Sequence, residues 1–361
     1  MTPPTWRASL VIEMPGSVTS VFSEAEDFDA ALREEGCLGL LVTGQGAFRA
    51  RLTQIALHRL RISAGEEQLP RVALFAVPTE MILVALPIAG EPMPVWGGIR
   101  MRADEIITLG GGRPIHMRTE GACRWSSIWV PAAEFVCYGS AMTGNTFSIP
   151  SAAQWWRLRP ATSRYVSQLH AAAVNLVESR STALSVAETA HGLEQQLIEA
   201  LVECLSKGRA IEAMPATTKH QDIAARFEAL LQTTPGQFLP IAKICAALGV
   251  SAQTLRISCD EQLGMGPTEY ARRWRMQLVH RTLLNGNTEA ASISAVARRC
   301  GFRSLGSFAA SYRALYGELP SVTLRRGLRG GAPSVTLGGP STKLLLKALW
   351  WINAGVIAVG V

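Results

Sequence analysis

Catalysis needs titratable or nucleophilic side chains gathered at short spacing, and this 361-residue chain scatters its own. The six histidines (His58, His116, His170, His191, His220 and His280) are dispersed, and His116 stands apart from the rest. No Gly-x-Ser-x-Gly nucleophile elbow occurs, and no Lys-Ser or Lys-Thr follows Gly110-Gly111-Gly112 to cradle a phosphate. No catalytic residue, metal or cofactor is therefore expected. The residues that do recur in pattern are of types that read nucleic acid. One set is Ser251, Ala252, Gln253, Thr254, Arg256 and Ile257; the other is Arg303, Ser304, Leu305, Gly306, Ser307 and Ala310. Glutamine suits the edge of adenine and arginine that of guanine, so Gln253 and Arg256 are the candidate base readers. In the second set only Arg303 and Ser307 offer hydrogen bonds. Leu305, Gly306 and Ala310 leave apolar contact, as with a thymine methyl. The first set is expected to discriminate sequence and the second chiefly to position the chain on the backbone.

Both sets need helices to present them. In the first copy Ile241, Ile244 and Leu248 fall at helical spacing, then Gly249 turns the chain and Ser251 opens the next helix. In the second, Ile293, Val296 and Ala297 precede Gly301, and Ser304 takes the opening position. Glycine tolerates the positive φ of such a turn, and a serine hydroxyl can accept from an unpaired N–H at a helix start. This is helix-turn-helix grammar, written twice, with the second helix of each pair the one that enters a major groove. Between the copies, Pro267 to Leu284 reads as one connecting helix, with Tyr270, Trp274 and Leu278 on one face and Arg272, Arg273 and Arg275 around it. Two readers on one face of DNA must stand about 34 Å apart, and a rigid helix is a means of holding them so.

Charge follows the same division. Residues 221–327 carry 13 Lys or Arg against 7 Asp or Glu, whereas residues 1–220 are net acidic by two; the whole chain is +7. With 48% hydrophobic and 17% charged residues the chain is a packed globular protein. Its seven cysteines, lacking any CxxC pair, and an N-terminus without a signal-peptide pattern suggest a reduced, cytoplasmic protein.

The remainder divides by texture. Residues 1–150 hold short apolar runs (Cys37–Val42, Arg71–Val77, Met81–Leu86, Pro94–Met101, Ile106–Leu109, Cys123–Val130) between Gly and Pro turns, which predicts a β-barrel or sandwich. Trp96, Trp125 and Trp129 are candidates for lining an effector pocket there, with plain core the more ordinary role. Residues 151–220 read as a helical connector: Pro160 to Ser179, Leu184 to Ser206, then a linker from Gly208. The stripe of Leu193, Leu197, Leu201 and Leu205 wants a partner. Either the N-terminal domain or the same helix of a second subunit fits, and a homodimer through residues 184–206 is slightly favoured. Residues 328–361 form a Gly-rich linker and an apolar tail, 341–361, interrupted by Lys347 and Asn353, for which no membrane role is expected.

Residues from about 222 to 327 resemble the DNA-binding domain of the AraC/XylS family of transcription regulators. The match rests on Gly249, Ser251, Leu255, Gly264, Pro267, Tyr270, Arg275 and Leu283-Leu284, then on Ile293, Ala297, Gly301-Phe302, Phe308, Tyr312, Gly317 and Pro320. Three positions depart from the pattern: Cys259 replaces an aromatic residue, Ile257 an arginine and Gly266 a serine. The resemblance implies an α+β protein with a cupin-like N-terminal domain for effector sensing or dimerisation and a seven-helix, two-lobed domain on promoter DNA. It also implies a small-molecule effector and, for an activator, contact with RNA polymerase. An enzyme on the β-rich domain and a protein-interaction scaffold are the alternatives.

Overall fold

The computed structural model describes residues 16–88, 92–179, 183–211, 215–234, 237–285 and 292–329. It divides into two compact units, one built on residues up to Thr218 apart from Thr43–Ala47, the other on those from Lys219 together with Thr43–Ala47.

Among the described residues the first unit contains thirteen strands and four α-helices. In chain order they are β1 (Gly16–Phe22), α1 (Ala25–Arg33), β2 (Cys37–Val42), β3 (Ala50–Ala56), β4 (Arg61–Glu67), β5 (Arg71–Phe75), β6 (Met81–Leu86), β7 (Val95–Trp96), β8 (Ile99–Arg100), β9 (Glu105–Leu109), β10 (Ile115–Arg118), β11 (Cys123–Pro131), α2 (Ala132–Thr143), β12 (Gln154–Arg157), α3 (Pro160–Glu178), α4 (Ala187–Lys207) and β13 (Arg209–Ile211). An eight-stranded antiparallel sheet runs β1-β3-β4-β11-β6-β9-β12-β13, and a five-stranded sheet runs β2-β5-β10-β7-β8. The large sheet buries both faces. Leu83 and Ala85 of β6 face the small sheet, in a core with Phe75, Trp96 and Met117. Ile82, Val84 and Leu86 face the opposite way, toward α2, α3 and α4. The outcome is the sandwich form of the expected fold, with one face covered by helices.

Four local expectations need correction. Pro94–Met101 is a hairpin of two two-residue strands, not one strand, because Gly97 and Gly98 take positive φ at 53° and 82°. The stretch 151–220 is not all helix: β12 pairs with β9, and β13 pairs with β12, so both extend the sheet. The expected linker from Gly208 begins with β13, and α5 (Pro215–Thr233) starts within it. The stripe on α4 does not seek a second subunit. Leu197, Leu201, Leu205, Ile198 and Val202 are buried against Ile55, Ile82, Val84 and Val130 of the chain's own sheet. Burial of each stabilises by roughly 1.5–3 kcal/mol, and a surface so covered is not free to bind another copy.

Polar bolts pass through these layers. Arg71 and Glu67 are fully buried and bidentate, with Nε to Oε2 at 2.8 Å and Nη2 to Oε1 at 2.9 Å. His170 of α3 sits 2.7 Å from the Ser126 hydroxyl of β11 and bonds the Ser63 backbone of β4. Burial pushes the His170 pKa down to about 4, against the pull of the Ser63 bond, so the ring is neutral near pH 7. All seven cysteines are free thiols, five of them buried. Among the described residues no helix is long and apolar enough to cross a membrane, and the tail 341–361 lies outside them.

The second unit consists of α5, α6 (Ile241–Leu248), α7 (Ala252–Leu263), α8 (Pro267–Leu284), α9 (Ile293–Arg299), α10 (Leu305–Tyr316) and α11 (Pro320–Arg329). The connecting helix α8 has the expected bounds but changes its buried face along its length. Near its start Tyr270 is buried beside Phe227 and donates to Glu228 of α5. Farther on, Met276, Val279 and Leu283 pack with Val296, Ala297, Phe308 and Tyr312. Trp274 and Leu278, expected to share Tyr270's buried face, are only half-buried, because the helix serves two cores in succession.

Candidate nucleic-acid interface

Each helical pair turns by the same pair of backbone bonds. After α6, the Gly249 N–H donates to the Ala246 carbonyl at 3.4 Å and the Val250 N–H to that of Cys245 at 3.1 Å. After α9, Gly301 donates to Arg298 at 2.9 Å and Phe302 to Ala297 at 3.0 Å. Gly249 and Gly301 have φ of 66° and 78°, which a side chain resists, so glycine is what lets both turns close. The buried anchors are Ile244 and Leu248 in the first copy and Val296 and Ala297 in the second; Ile241 and Ile293 are half-buried.

The start of α7 is capped as its sequence predicts, the Ser251 hydroxyl accepting from the Thr254 N–H at 3.0 Å. Leu255, Ser258, Cys259, Gln262 and Leu263 are buried, which turns the other face outward. Ser251, Ala252, Gln253, Arg256 and Ile257 are exposed and Thr254 half-exposed. The Arg256 side chain is 77% exposed and, among the described residues, is held by a loose pair with Asp260 at 3.6 Å. Cys259 is fully buried, and burial pushes its thiol pKa up, so it acts as a small core residue.

The start of α10 corrects one expectation. Ser304 occupies the cap position, but its hydroxyl caps nothing; its carbonyl instead accepts from the Ser307 hydroxyl at 3.1 Å. The serine that caps in this copy is Ser292, one helix earlier, accepting from the Ala295 N–H at 3.2 Å. Arg303, Ser304, Gly306, Ser307 and Ala310 are exposed and Leu305 half-buried, so this helix also turns its first half to solvent. Its inner face is fixed by a relay of hydrogen bonds. The Tyr312 hydroxyl donates to Thr323 at 2.8 Å, Thr323 donates to Glu318 at 2.6 Å, and Arg326 donates to Glu318 at 3.0 Å. His280 Nδ1 lies 2.7 Å from the same Tyr312 oxygen. With the tyrosine proton committed to Thr323, the histidine supplies the other. Burial, with Arg326 and Arg281 nearby, holds the His280 pKa down to about 3, so it serves as a neutral donor. Arg275 joins α8 to the second turn, its Nη1 donating to the Gly301 carbonyl at 3.3 Å and its guanidinium 5.2 Å over Phe302.

The structure thus turns both predicted sets outward along α7 and α10 with one correction: Leu305 is half-buried and packs against the core of Val296, Phe308 and Tyr312, because it sits on the inner side of the first turn of α10. Three exposed cations on the second pair, Arg298, Arg299 and Arg313, escape a search for helix-opening residues because they lie at the end of α9 and late in α10. The run of two arginines just before the turn glycine is the signal that marks the first two. The three tryptophans of the first unit lie in packed core at 3%, 5% and 2% exposure for Trp96, Trp125 and Trp129. The indoles of Trp125 and Trp129 donate to Glu67 and Glu35.

Residues 244–326 match a family model described as a helix-turn-helix domain. The chain is 28% identical over 163 residues to a probable thc operon regulatory protein of Rhodococcus erythropolis, covering 42% of this chain and 48% of that protein. It is 39% identical over 75 residues to a XylDLEGF operon transcriptional activator of Pseudomonas putida, covering 21% of this chain and 48% of that protein. A solved structure of a probable AraC family transcriptional regulator from Rhodopseudomonas palustris is 32% identical, covering 29% of this chain and 97% of that one, with a TM-score of 0.28. The chain spans about half the length, or less, of the curated relatives it matches.

Proposed function

Because the chain belongs to the AraC family of transcription regulators, we propose that it binds promoter DNA sequence-specifically, placing α7 and α10 in successive major-groove segments. The observation that carries this is the repetition of one turn geometry, with the first halves of both following helices facing solvent. A packing hairpin has no need to leave Gln253 and Arg256 exposed; a reader of bases does. The eighteen residues of α8 give a rod of about 27 Å, and with the helices at its ends it suits the roughly 34 Å between groove segments. In this reading Gln253 takes adenine and Arg256 guanine. The sandwich unit receives a small-molecule effector or a second copy, and the chain acts in the cytoplasm, touching RNA polymerase where it activates. Relatives named for operons make an operon promoter the natural target.

Selection of bound duplexes from a random pool by the full chain, followed by titration at several salt concentrations, tests the proposal. The expected result is an enriched motif and an affinity that falls steeply with salt as counterions are released. Recovery of no motif, with binding indifferent to salt, would refute it.

A further inference from the structure

The two helical pairs differ in charge as much as they agree in shape. From Ile241 to Leu263 the first pair has Lys243 and Arg256 against Asp260 and Glu261, a net charge of zero. From Ile293 to Tyr316 the second pair has Arg298, Arg299, Arg303 and Arg313 and no acid at all. All four side chains are exposed, and among the described residues none is engaged by a carboxylate. The acid next along the chain, Glu318, is already occupied by Thr323 and Arg326. Elsewhere arginines are mostly paired, as Arg71 is with Glu67, Arg157 with Glu105 and Arg256 with Asp260. Base-reading capacity runs the opposite way. The outward surface of α10 offers Gly306, Ser307, Ala310 and Ala314, and the Ser307 proton is spent on the Ser304 carbonyl.

We propose that the two pairs divide the work of binding: the second is a sequence-blind phosphate clamp made by Arg298, Arg299, Arg303 and Arg313, and the first, electrically neutral, supplies the discrimination. The inference rests on the reading of the chain as a DNA-binding protein and specifies which residues hold the polyanion. Four unopposed guanidiniums suit non-bridging phosphate oxygens, which they can meet bidentately whatever the base sequence. The bound site then has one half where bases matter and one half where they matter little. The chain's affinity for arbitrary duplex resides in the second pair.

The test compares the full chain with Arg298→Ala/Arg299→Ala, Arg298→Lys/Arg299→Lys and Gln253→Ala, titrated against the selected duplex and a scrambled one. Each lost phosphate contact lowers the slope of log affinity against log salt by about 0.9, so the double alanine variant is shallower by about 2. Between 50 and 200 mM salt the wild-type chain therefore loses about tenfold more affinity than that variant. The double alanine variant weakens on both duplexes by the same factor, the lysine variant keeps the steep slope, and Gln253→Ala narrows the ratio between duplexes without changing the slope. Wild-type binding with an unchanged slope in the double alanine variant, or a loss confined to the selected duplex, overturns the division of labour alone. A wild-type chain that retains no duplex overturns the parent reading and this inference with it.

Discussion

Arg256→Ala separates a residue that reads DNA from one that supports the fold. The side chain is 77% exposed and its ion pair to Asp260, at 3.6 Å, is solvent-screened. Such an i, i+4 pair contributes about 0.3–0.5 kcal/mol, and alanine's helix propensity offsets much of that loss. The thermal midpoint should therefore barely move. A bidentate arginine–guanine contact, by contrast, is worth about 1–3 kcal/mol of discrimination, or about 5- to 150-fold in affinity. The assay is a two-way cycle: wild type and variant, each titrated by fluorescence anisotropy against the selected duplex and against a series with one base pair replaced at a time. At the contacted guanine the replacement should cost the wild type that full factor and cost the variant nothing further. Elsewhere in the site the two proteins should respond alike. A variant that loses affinity equally on every duplex, or that melts several degrees lower, would show that Arg256 is a general cation or a structural residue and not a reader.

Ala310→Arg places a guanidinium on the outward face of α10, among the exposed small residues Gly306, Ser307 and Ala314, and binding-site selection should then show a base preference in the second half that the wild type lacks. The first unit should lose stability in mild acid. The folded His170 pKa of about 4 lies below the ordinary 6.5, so its contribution is intact above 6.5 and declines as the pH falls toward 4. Between pH 7 and pH 5 that amounts to about 2 kcal/mol, read by urea unfolding followed through tryptophan fluorescence, and His170→Gln should flatten the dependence. Gly65→Ala sets a Cβ within 2.1 Å of the Trp125 ring; the overpacking should cost roughly 1–3 kcal/mol and appear as a lower midpoint in the same unfolding curves.

What the sequence discloses depends on whether the cause of a structure is local. Strand β6 reads clearly because both faces are buried, which makes a continuous apolar run of Met81–Leu86. Strands β3 and β4 stay hidden because Thr53, Gln54, Ser63 and Glu67 point into the interior. Thr53 and Gln54 are held by distant partners, Thr19 for the first at 3.1 Å and Glu35 for the second at 2.6 Å, and no neighbouring residue announces those. The apolar stripe of α4 is visible as a stripe, but the surface that covers it is a tertiary fact. Both turns were legible from Gly249 and Gly301, since positive φ is a local demand. The Ser304 hydroxyl does not cap α10 because a serine has competing backbone partners at a helix start, and the choice among them falls below what spacing encodes. The grouping of Arg298 and Arg299 with Arg303 is a property of the folded turn, which brings the end of one helix to the beginning of the next.

Strands β12 and β13 lie alongside one another, Trp155 opposite Ile211 and Arg157 opposite Arg209. The chain therefore leaves the sheet after Arg157 and rejoins it at Arg209 through one doorway, making the intervening helices a cassette with adjoining ends. A shortened clone stopping at residue 150 discards two strands together with the lid formed by α3 and α4, leaving only α2 and Phe147 to cover Ile82, Val84, Ile106, Ile128 and Val130. A boundary placed after Ile211 keeps the doorway shut.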